Sequence, residues 1–425
     1  MRLLVISLLA LFLSLMLITA GNAYLLTLLG VRLGDTGINP LNVGLIMACY
    51  SIGFAVGALY AVPLVRRVGH IRTFSALASA CAMAAASYPL IENIYVWAGL
   101  RAIGGFTVAG MLITIESWFS AVATNQNRAT LFSFYLIASY SASAMAQLLV
   151  GVSGAGGAAP FVLATLLLIA AVIPLSLSRL QSPELEQETR MPLIRLWQIA
   201  PLGLTSAFCA GLLLGSFYAL APLFSKMTQL STAEVSQLMF AAVTFAMLLA
   251  WPLGWICDRM QRSTIMLLVC LLAALFSMLS GLGTTWGFLL RALLASLVLG
   301  LSASIYSISV AITNDLVDSS ERVAASSALM LSYGLGSILG PLGGSVLMEK
   351  ISAAAFFYGF SLILILLALF IRYRQTQVSP LPVTEQAQFI AAVPENQVAV
   401  DFDPRYEHTP DIPIEALFPE ETTLE

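Results

Sequence analysis

Two ionisable side chains in one apolar run are the first candidates for chemistry. The run 94–122 is long enough to cross a bilayer, yet it contains Arg101 and Glu116. Each charge costs at least ~2.5–3.5 kcal/mol at the centre of a membrane helix, so such residues normally face a polar interior. The arginine can attract an anion or join a proton relay, pair with groups on a neighbouring span, or extend to the headgroups. The glutamate can carry a proton, close a gate as an ion-pair partner, or face lipid incidentally.

The spacing of these two residues limits how they can work together. Fifteen residues at a rise of ~1.5 Å put them about 22 Å apart along a helix. Fifteen steps of ~100° return to within ~60° of the same helix face. We therefore expect Arg101 and Glu116 to face one cavity from its opposite ends, without direct contact.

The composition is that of a membrane protein. Of 425 residues, 59% are hydrophobic and 10% are charged, and the mean hydropathy is +0.91. Soluble domains are ~25% charged, so this chain lacks the side chains for a water-facing surface. Two histidines and five cysteines without metal-ligand spacing predict no metal site and no enzyme. We expect no bound cofactor, no nucleic-acid partner and, without a phosphate-binding G-x-x-x-x-G-K-[ST] pattern, no nucleotide-driven pump.

The apolar runs predict an all-α polytopic membrane protein with twelve transmembrane helices. A helical span needs about 20 mostly apolar residues. Such runs lie at 3–28, 40–64, 71–91, 94–122, 129–151, 158–178, 199–224, 233–256, 264–282, 285–314, 323–347 and 353–373. The longest polar stretch between spans divides them six and six. It predicts an N-terminal bundle 1–178, a cytoplasmic linker 179–198, a C-terminal bundle 199–374 and an acidic, disordered cytoplasmic tail 375–425.

Basic residues in the connections predict the orientation. With the N-terminus inside, thirteen arginines lie on the cytoplasmic side, against Arg32, Lys226 and Lys350 outside. Cytoplasmic loops carry the excess of Lys and Arg, so both termini are predicted in the cytoplasm. Cleavage of a signal peptide near Ala23 is the alternative, but the apolar run continues beyond that site. We expect a monomer in a bacterial inner membrane.

The two halves repeat each other in sequence. Span 2 ends in "PLVRRVGHIR" (63–72) and span 8 ends in "GWICDRMQRS" (254–263). Spans 4 and 10 each carry an arginine near their start, Arg101 and Arg291. Matched charges at corresponding points indicate a duplicated bundle, as in many transporters.

At these positions the chain resembles the major facilitator superfamily. That family carries G-x-x-x-D-R-x-G-R-[KR] after spans 2 and 8, and the second copy here is close to it, with Gln261 in place of a glycine. The first copy is weaker because Arg66 stands where the family has aspartate. The segment "RAIGG" (101–105) is similar to the R-x-x-Q-G motif of span 4, and "GSILGPLGG" (336–344) is similar to a glycine-proline element. The segments "ESW" (116–118), "GSFYALAPLF" (215–224) and "WPLGWICDR" (251–259) resemble the YcaD-type bacterial branch.

The resemblance implies two pseudo-symmetric six-helix bundles around a cavity lined mainly by spans 1, 4, 7 and 10. The polar residues of those spans and of spans 5 and 11 are the predicted contacts for substrate or coupling ion: Asn22, Arg101, Glu116, Tyr140, Gln147, Ser216, Tyr218, Arg291, Tyr306 and Tyr333. The motif charges and their neighbours are the predicted cytoplasmic gate: Arg66, Arg67, Gly69, Arg72, Arg128, Gly254, Asp258, Arg259, Arg262, Asp315, Asp318 and Arg322. Gly336 and Gly340 are predicted to let helices approach closely, and Pro341 to kink span 11.

The function expected from this resemblance is secondary active transport. The chain would move a small organic solute by alternating access, driven by protons. Mostly apolar and aromatic cavity candidates favour efflux over uptake by symport. A non-transporting sensor that uses the acidic tail as its output segment is the alternative from another class.

Overall fold

The regular structure of the described chain is helical. The computed structural model describes residues 2–122, 128–178, 191–318, 321–378, 382–386, 389 and 392. The N-terminal bundle comprises α1 (Arg2–Asp35), α2 (Pro40–Val68), α3 (His70–Ser87), α4 (Ile94–Val122), α5 (Arg128–Ser153), α6 (Ala159–Ala170) and α7 (Val172–Ser176). A short helix α8 (Leu193–Ile199) precedes the C-terminal bundle. That bundle comprises α9 (Pro201–Met227), α10 (Thr232–Cys257), α11 (Arg262–Leu282), α12 (Phe288–Leu316), α13 (Arg322–Lys350) and α14 (Ala355–Gln377).

Eleven of these helical segments are long and apolar enough to cross a membrane, α6 and α7 counting together as one. The remaining predicted span, the third at 71–91, corresponds to α3, which is less apolar because it contains His70, Arg72 and several serines. This helix packs against α4 and α6. One face of α3, with Phe74 and Leu77, is buried against these helices, and the opposite face, with Met83, is exposed.

The sixth predicted span differs from the expectation because it breaks at Ala171. Pro174 has no N–H to continue the hydrogen-bond ladder, so α6 ends at Ala170 and α7 begins at Val172. The Ser14 hydroxyl of α1 donates to the Ala171 carbonyl at 2.8 Å, which satisfies a backbone acceptor at the break.

Helix packing repeats between the halves. In the N-terminal bundle α2 packs on α4 and α1 on α5, and in the C-terminal bundle α10 packs on α12 and α9 on α13. Small residues make the closest of these approaches. A β-carbon on Gly336 would lie 2.2 Å from the Phe208 carbonyl oxygen, and one on Gly340 would lie 2.3 Å from that of Leu212. α13 runs continuously from Arg322 to Lys350 through Pro341.

The bundles meet at one end of the molecule. The loops that hold Asp35–Asn39, Thr228–Ser231 and Ile351–Ala354 form what we name the far face, and those that hold Gly69, Asp258–Gln261 and Val317–Asp318 form the linker face. At the far face α1 contacts α9, where Lys226 pairs with Asp35 at 2.8 Å. There, too, Asn39 before α2 donates to Glu349 of α13 at 2.6 Å.

Glycines tighten this closure. A β-carbon on Gly30 would lie 2.9 Å from Pro222 Cβ, and one on Gly44 would lie 2.7 Å from the Pro341 carbonyl oxygen. On the α5–α10 side the Ser236 hydroxyl donates to the Gln147 carbonyl at 2.6 Å. The far face is therefore closed by close helix packing between the bundles as well as by its polar contacts.

Part of the predicted disordered tail is ordered against the C-terminal bundle. The Phe389 N–H donates to Asp258 Oδ1 at 2.6 Å, and the Phe389 ring lies over Gly254. The Ser307 hydroxyl donates to the Ala392 carbonyl at 2.7 Å and accepts from the Ala392 N–H at 3.2 Å. These contacts concern Phe389 and Ala392 alone, and the disorder expected from composition for the tail as a whole stays a prediction. The other tail residues, apart from 375–378 and 382–386, lie outside the described part of the chain.

Candidate functional site

A cavity of about 410 Å³ lies between the two bundles. This volume falls within the ~300–1,000 Å³ range of pockets that bind small molecules. Helices α1, α2, α4 and α5 line it on one side, and α9 and α13 line it on the other. Val243 of α10, Ala303 of α12 and Met191 before α8 complete the described wall.

The polar groups of this cavity are concentrated on the N-terminal bundle. Asn22 of α1 donates to the Tyr50 hydroxyl of α2 at 2.9 Å. Gln147 of α5 accepts from the Thr27 hydroxyl at 2.6 Å and is 2% exposed. Tyr140 and Ser139 of α5 also line the cavity. Helices α1, α2 and α5 therefore present amide and hydroxyl groups to the cavity.

Arg101 is the one charged side chain among the described lining residues. It is 1% exposed, and its guanidinium carbon lies 4.4 Å from the centre of the Tyr50 ring. The guanidinium also interacts with the Tyr88 hydroxyl. Its Nε and Nη2 atoms have no hydrogen-bond partner in the described part of the chain. An unsatisfied buried donor costs about 1–3 kcal/mol, and more when charged, so this arginine is poorly explained as a structural element alone.

Glu116 lies outside the cavity wall, which differs from the expectation that it would face the same cavity as Arg101. Its side chain is fully buried, and Oε1 accepts a hydrogen bond from the Tyr135 hydroxyl at 2.8 Å. Tyr135 itself lines the cavity. Around α4 the positions of Arg101 and Glu116 differ by ~60°. This difference is enough to turn the Glu116 carboxylate away from the cavity and toward α5. Tyr135 thus links the buried carboxylate to the cavity.

The C-terminal side of the cavity is mainly apolar and aromatic. Tyr218 of α9 and Tyr333 of α13 line it together with leucines, alanines and Ile338. Tyr306 lies behind this surface, with its ring 5.3 Å from that of Tyr333 in an edge-on arrangement. Ser216 also lies outside the described lining, since its hydroxyl bonds to the Leu212 carbonyl at 2.6 Å where α9 meets α13.

Arg291 is not a structural counterpart of Arg101. It lies three residues after the start of α12, whereas Arg101 lies seven residues after the start of α4. Four residues correspond to about 6 Å along a helix, so Arg291 remains at the far face. There its guanidinium donates to the carbonyl and the hydroxyl of Thr228, in a small pocket away from the central cavity.

The predicted gate charges all belong to the linker face, but the structure separates them. Arg66, Arg67 and Arg72 are exposed around Gly69, whose φ of 89° suits a glycine turn. Arg262 is buried and pairs with Asp315, which ties α11 to α12 within one bundle. The described side chains of the gate set are thus joined mainly within the C-terminal bundle.

The remaining gate candidates have different surroundings. Arg259 lies over the Trp255 ring at 4.0 Å, and Asp258 and Gly254 contact the tail. Asp318 is exposed, and Arg322 begins α13. Arg128 begins α5, and its side chain lies outside what the structure describes. Arg195 pairs with Glu321 at 2.5 Å, which adds a link between α8 and α13 that the sequence did not indicate.

Two site residues were missed at the sequence level. Tyr50 and Tyr135 both line the cavity, and each contacts an ionisable residue of α4. The sequence contained an indication for both residues. Each is a tyrosine inside a predicted span, where its hydroxyl group needs a hydrogen-bond partner. The candidates were drawn from spans 1, 4, 5, 7, 10 and 11, so Tyr50 of span 2 was not considered, and in span 5 only Tyr140 and Gln147 were named.

The comparisons with known proteins agree with this architecture. The family model described as Major Facilitator Superfamily matches residues 11–304 and 279–418. The chain belongs to the major facilitator superfamily. This MFS chain is 28% identical over 347 residues to the MFS-type transporter YcaD of Salmonella enteritidis PT4, covering 80% of this chain and 88% of that protein. The YcaD of Salmonella typhi is similar to the same extent.

Solved structures show the same fold at low sequence identity. The nucleoside transporter NupG superimposes with a TM-score of 0.70 at 15% identity, covering 86% of this MFS chain and 98% of NupG. An inward-facing, unoccupied bacterial homolog of the human lysosomal transporter Spinster superimposes with a TM-score of 0.67 at 15% identity. The match covers 95% of this chain and 98% of the homolog. A D-xylose-proton symporter superimposes with a TM-score of 0.67 at 14% identity, and the match covers 89% of this chain and 98% of the symporter. The chain is therefore a polytopic MFS transporter with the fold of two six-helix bundles, and not an enzyme.

Proposed function

We propose that this MFS transporter exports a small organic solute by alternating access, driven by proton entry. The observation that carries the proposal is the central cavity, which is enclosed between the bundles and closed at the far face. Alternating access needs a site between two bundles that rock against each other. In this proposal the protein lies in a bacterial inner membrane with the linker face and both termini in the cytoplasm, which the excess of arginine on that side supports.

The lining supports export over uptake. A wall of leucine, alanine, tyrosine and phenylalanine side chains suits a partly apolar solute, which dissolves in the inner leaflet or cytosol before it is removed. On this orientation the cavity loads from the cytosol, since the far face is closed. Uptake by symport would use the same inward-open and outward-open states, but the solute would bind in the outward-open state and leave from the inward-open state.

Glu116 is the proposed proton carrier. Its carboxyl group is fully buried within the bundle, and Tyr135 connects it to the cavity through a hydrogen bond of 2.8 Å. A change in the cavity can therefore reach the carboxyl group through one side chain. A monomer would suffice for this mechanism, because the cavity and Glu116 belong to one chain.

Proteoliposomes test the proposal. Candidate solutes are first selected as compounds that raise the melting temperature of the purified protein. A concentration gradient of each solute, directed inward or outward, is then imposed across proteoliposomes that contain a pH-sensitive dye. We expect wild-type protein to move protons against the solute, whereas Glu116→Gln moves none but still exchanges radiolabelled solute. Proton movement at the wild-type rate in Glu116→Gln would rule out this carrier. Proton and solute movement in the same direction would replace export by symport.

A further inference from the structure

We propose that the transported solute is an organic anion with one carboxylate and an aromatic or apolar body, held through Arg101. This inference rests on the proposed function and assigns a substrate class to its cavity. Arg101 is the one charge among the described lining residues, and no aspartate or glutamate occurs among them. The cavity therefore has a positive charge that no described lining residue balances.

The Arg101 guanidinium has two N–H groups available to bind an acceptor from a ligand. Nε and Nη2 are both buried and lack hydrogen-bond partners in the described chain, although five other arginines bind carbonyl or carboxylate oxygens. Adjacent N–H groups of a guanidinium match the two oxygens of a carboxylate.

The surroundings keep this arginine in place without neutralising it. Tyr50 packs on the guanidinium plane and is itself fixed by Asn22. Ser139 of α5 also has a buried hydroxyl without a partner in the described residues, and it lines the same cavity. Tyr50 therefore lies directly against the cation, and Ser139 adds a neutral polar group to the wall of the same cavity.

The opposite wall fits the rest of the solute. Tyr218, Tyr333, Leu214 and Ile338 form an apolar and aromatic surface on the C-terminal bundle. A solute with its carboxylate at Arg101 and its apolar body on this surface would contact both bundles at once. Such a bridging ligand can couple occupancy to the movement of one bundle against the other.

Matched ligands test the charge preference. Binding of benzoate, 4-phenylbenzoate and naphthalene-2-carboxylate to the detergent-solubilised protein is compared with that of the corresponding carboxamides and methylamines. We expect the carboxylate of at least one pair to bind roughly ten- to hundredfold more tightly than its amide, as for a hydrogen-bonded charge pair. Amides or amines that bind as tightly as the carboxylates would overturn the inference.

Substitution of the arginine supplies the second test. Arg101→Gln should abolish the preference for carboxylate over amide, and Arg101→Lys should retain part of it. The matched control Arg372→Gln removes an exposed arginine of α14 and should leave the preference unchanged. An equal loss of carboxylate and amide binding in Arg101→Gln would show a structural role and refute the proposal. If Arg101→Gln does not fold, Arg101→Lys decides, since an undiminished carboxylate preference at wild-type affinity would also count against it.

Failure of the inference can be told apart from failure of the proposed function. Vesicle flux of a neutral or cationic compound with no carboxylate preference would remove the anion assignment and leave proton-driven export intact. Carboxylate binding without flux under any gradient would support the site and reject the transport cycle proposed above.

Discussion

At the residue scale, buried charge has two different meanings in this transporter. Arg262 is 2% exposed and paired with Asp315, and it also donates to the Ala311 carbonyl at 3.0 Å. Arg101 is equally buried, but two of its donors have no partner among the described residues. The first arrangement holds helices together, whereas the second belongs to a residue that lines the cavity.

The Arg262–Asp315 pair predicts a large loss of stability when one partner is removed. Asp315→Asn leaves the buried arginine without this carboxylate, which typically costs about 3–5 kcal/mol. We expect a clear fall in the melting temperature in detergent. The control Asp318→Asn changes an exposed carboxylate three residues later and should cost little. Equal melting temperatures for the two variants would contradict the structural role of the pair.

The sequence was informative about residue types and less so about their directions. Intramembrane Arg101 and Glu116 marked the right helix, because a bilayer tolerates such residues only for a reason. Hydrophobic periodicity could not decide that Glu116 turns toward Tyr135, since α4 is apolar on nearly every face. Arg291 was paired with Arg101 by similarity of position, and the four-residue difference in depth became evident only from the helix starts.

At the element scale, small residues determine which helices can touch. Gly336 and Gly340 place α13 directly on the backbone of α9, as the G-x-x-x-G spacing predicted. Each predicted span corresponds in order to a helix, except that the sixth corresponds to the pair α6 and α7. The break at Ala171 was missed because a single proline within an apolar run does not show which carbonyls a neighbour will satisfy.

This packing predicts opposite effects for two nearby glycines of α13. Gly340→Ala places a methyl group 2.3 Å from the Leu212 carbonyl oxygen, so we expect overpacking that costs about 1–3 kcal/mol. Gly343→Ala meets nothing within 4 Å and should be neutral or stabilise by up to about 1 kcal/mol through helix propensity. Thermal unfolding of the two variants in the same detergent checks the difference. Similar midpoints would show that α13 and α9 can separate without cost.

At the scale of the whole molecule, the tail contacts the C-terminal bundle, and the far face joins the two bundles. Composition alone predicted disorder after residue 375, yet Ala392 reaches the buried Ser307 of α12. Acidic, proline-containing sequence does prevent a packed core. It does not prevent a few residues from binding a groove that another part of the chain supplies.

The tail contact predicts a specific change in hydrogen exchange. Ser307→Ala removes both hydrogen bonds to Ala392, so we expect faster deuterium uptake in peptides that cover 382–392. The control Ser304→Ala lies one turn away and removes a bond to its own helix at the Gly300 carbonyl. Uptake that is unchanged in Ser307→Ala would show that this contact does not hold the tail in solution.

Closure of the far face predicts that a covalent link there stops the transport cycle. A β-carbon on Gly34 would lie 2.9 Å from that of Lys226, slightly closer than the ~3.5–4.5 Å of a disulfide, so a small shift suffices. In a background without the five native cysteines, we expect oxidised Gly34→Cys/Lys226→Cys to lose solute exchange in proportion to the crosslinked fraction, and reduction to restore it. Lys226→Cys alone controls for loss of the ion pair with Asp35. Exchange that continues in fully crosslinked protein would mean that the solute leaves without separation of α1 from α9, and alternating access through the far face would have to be abandoned.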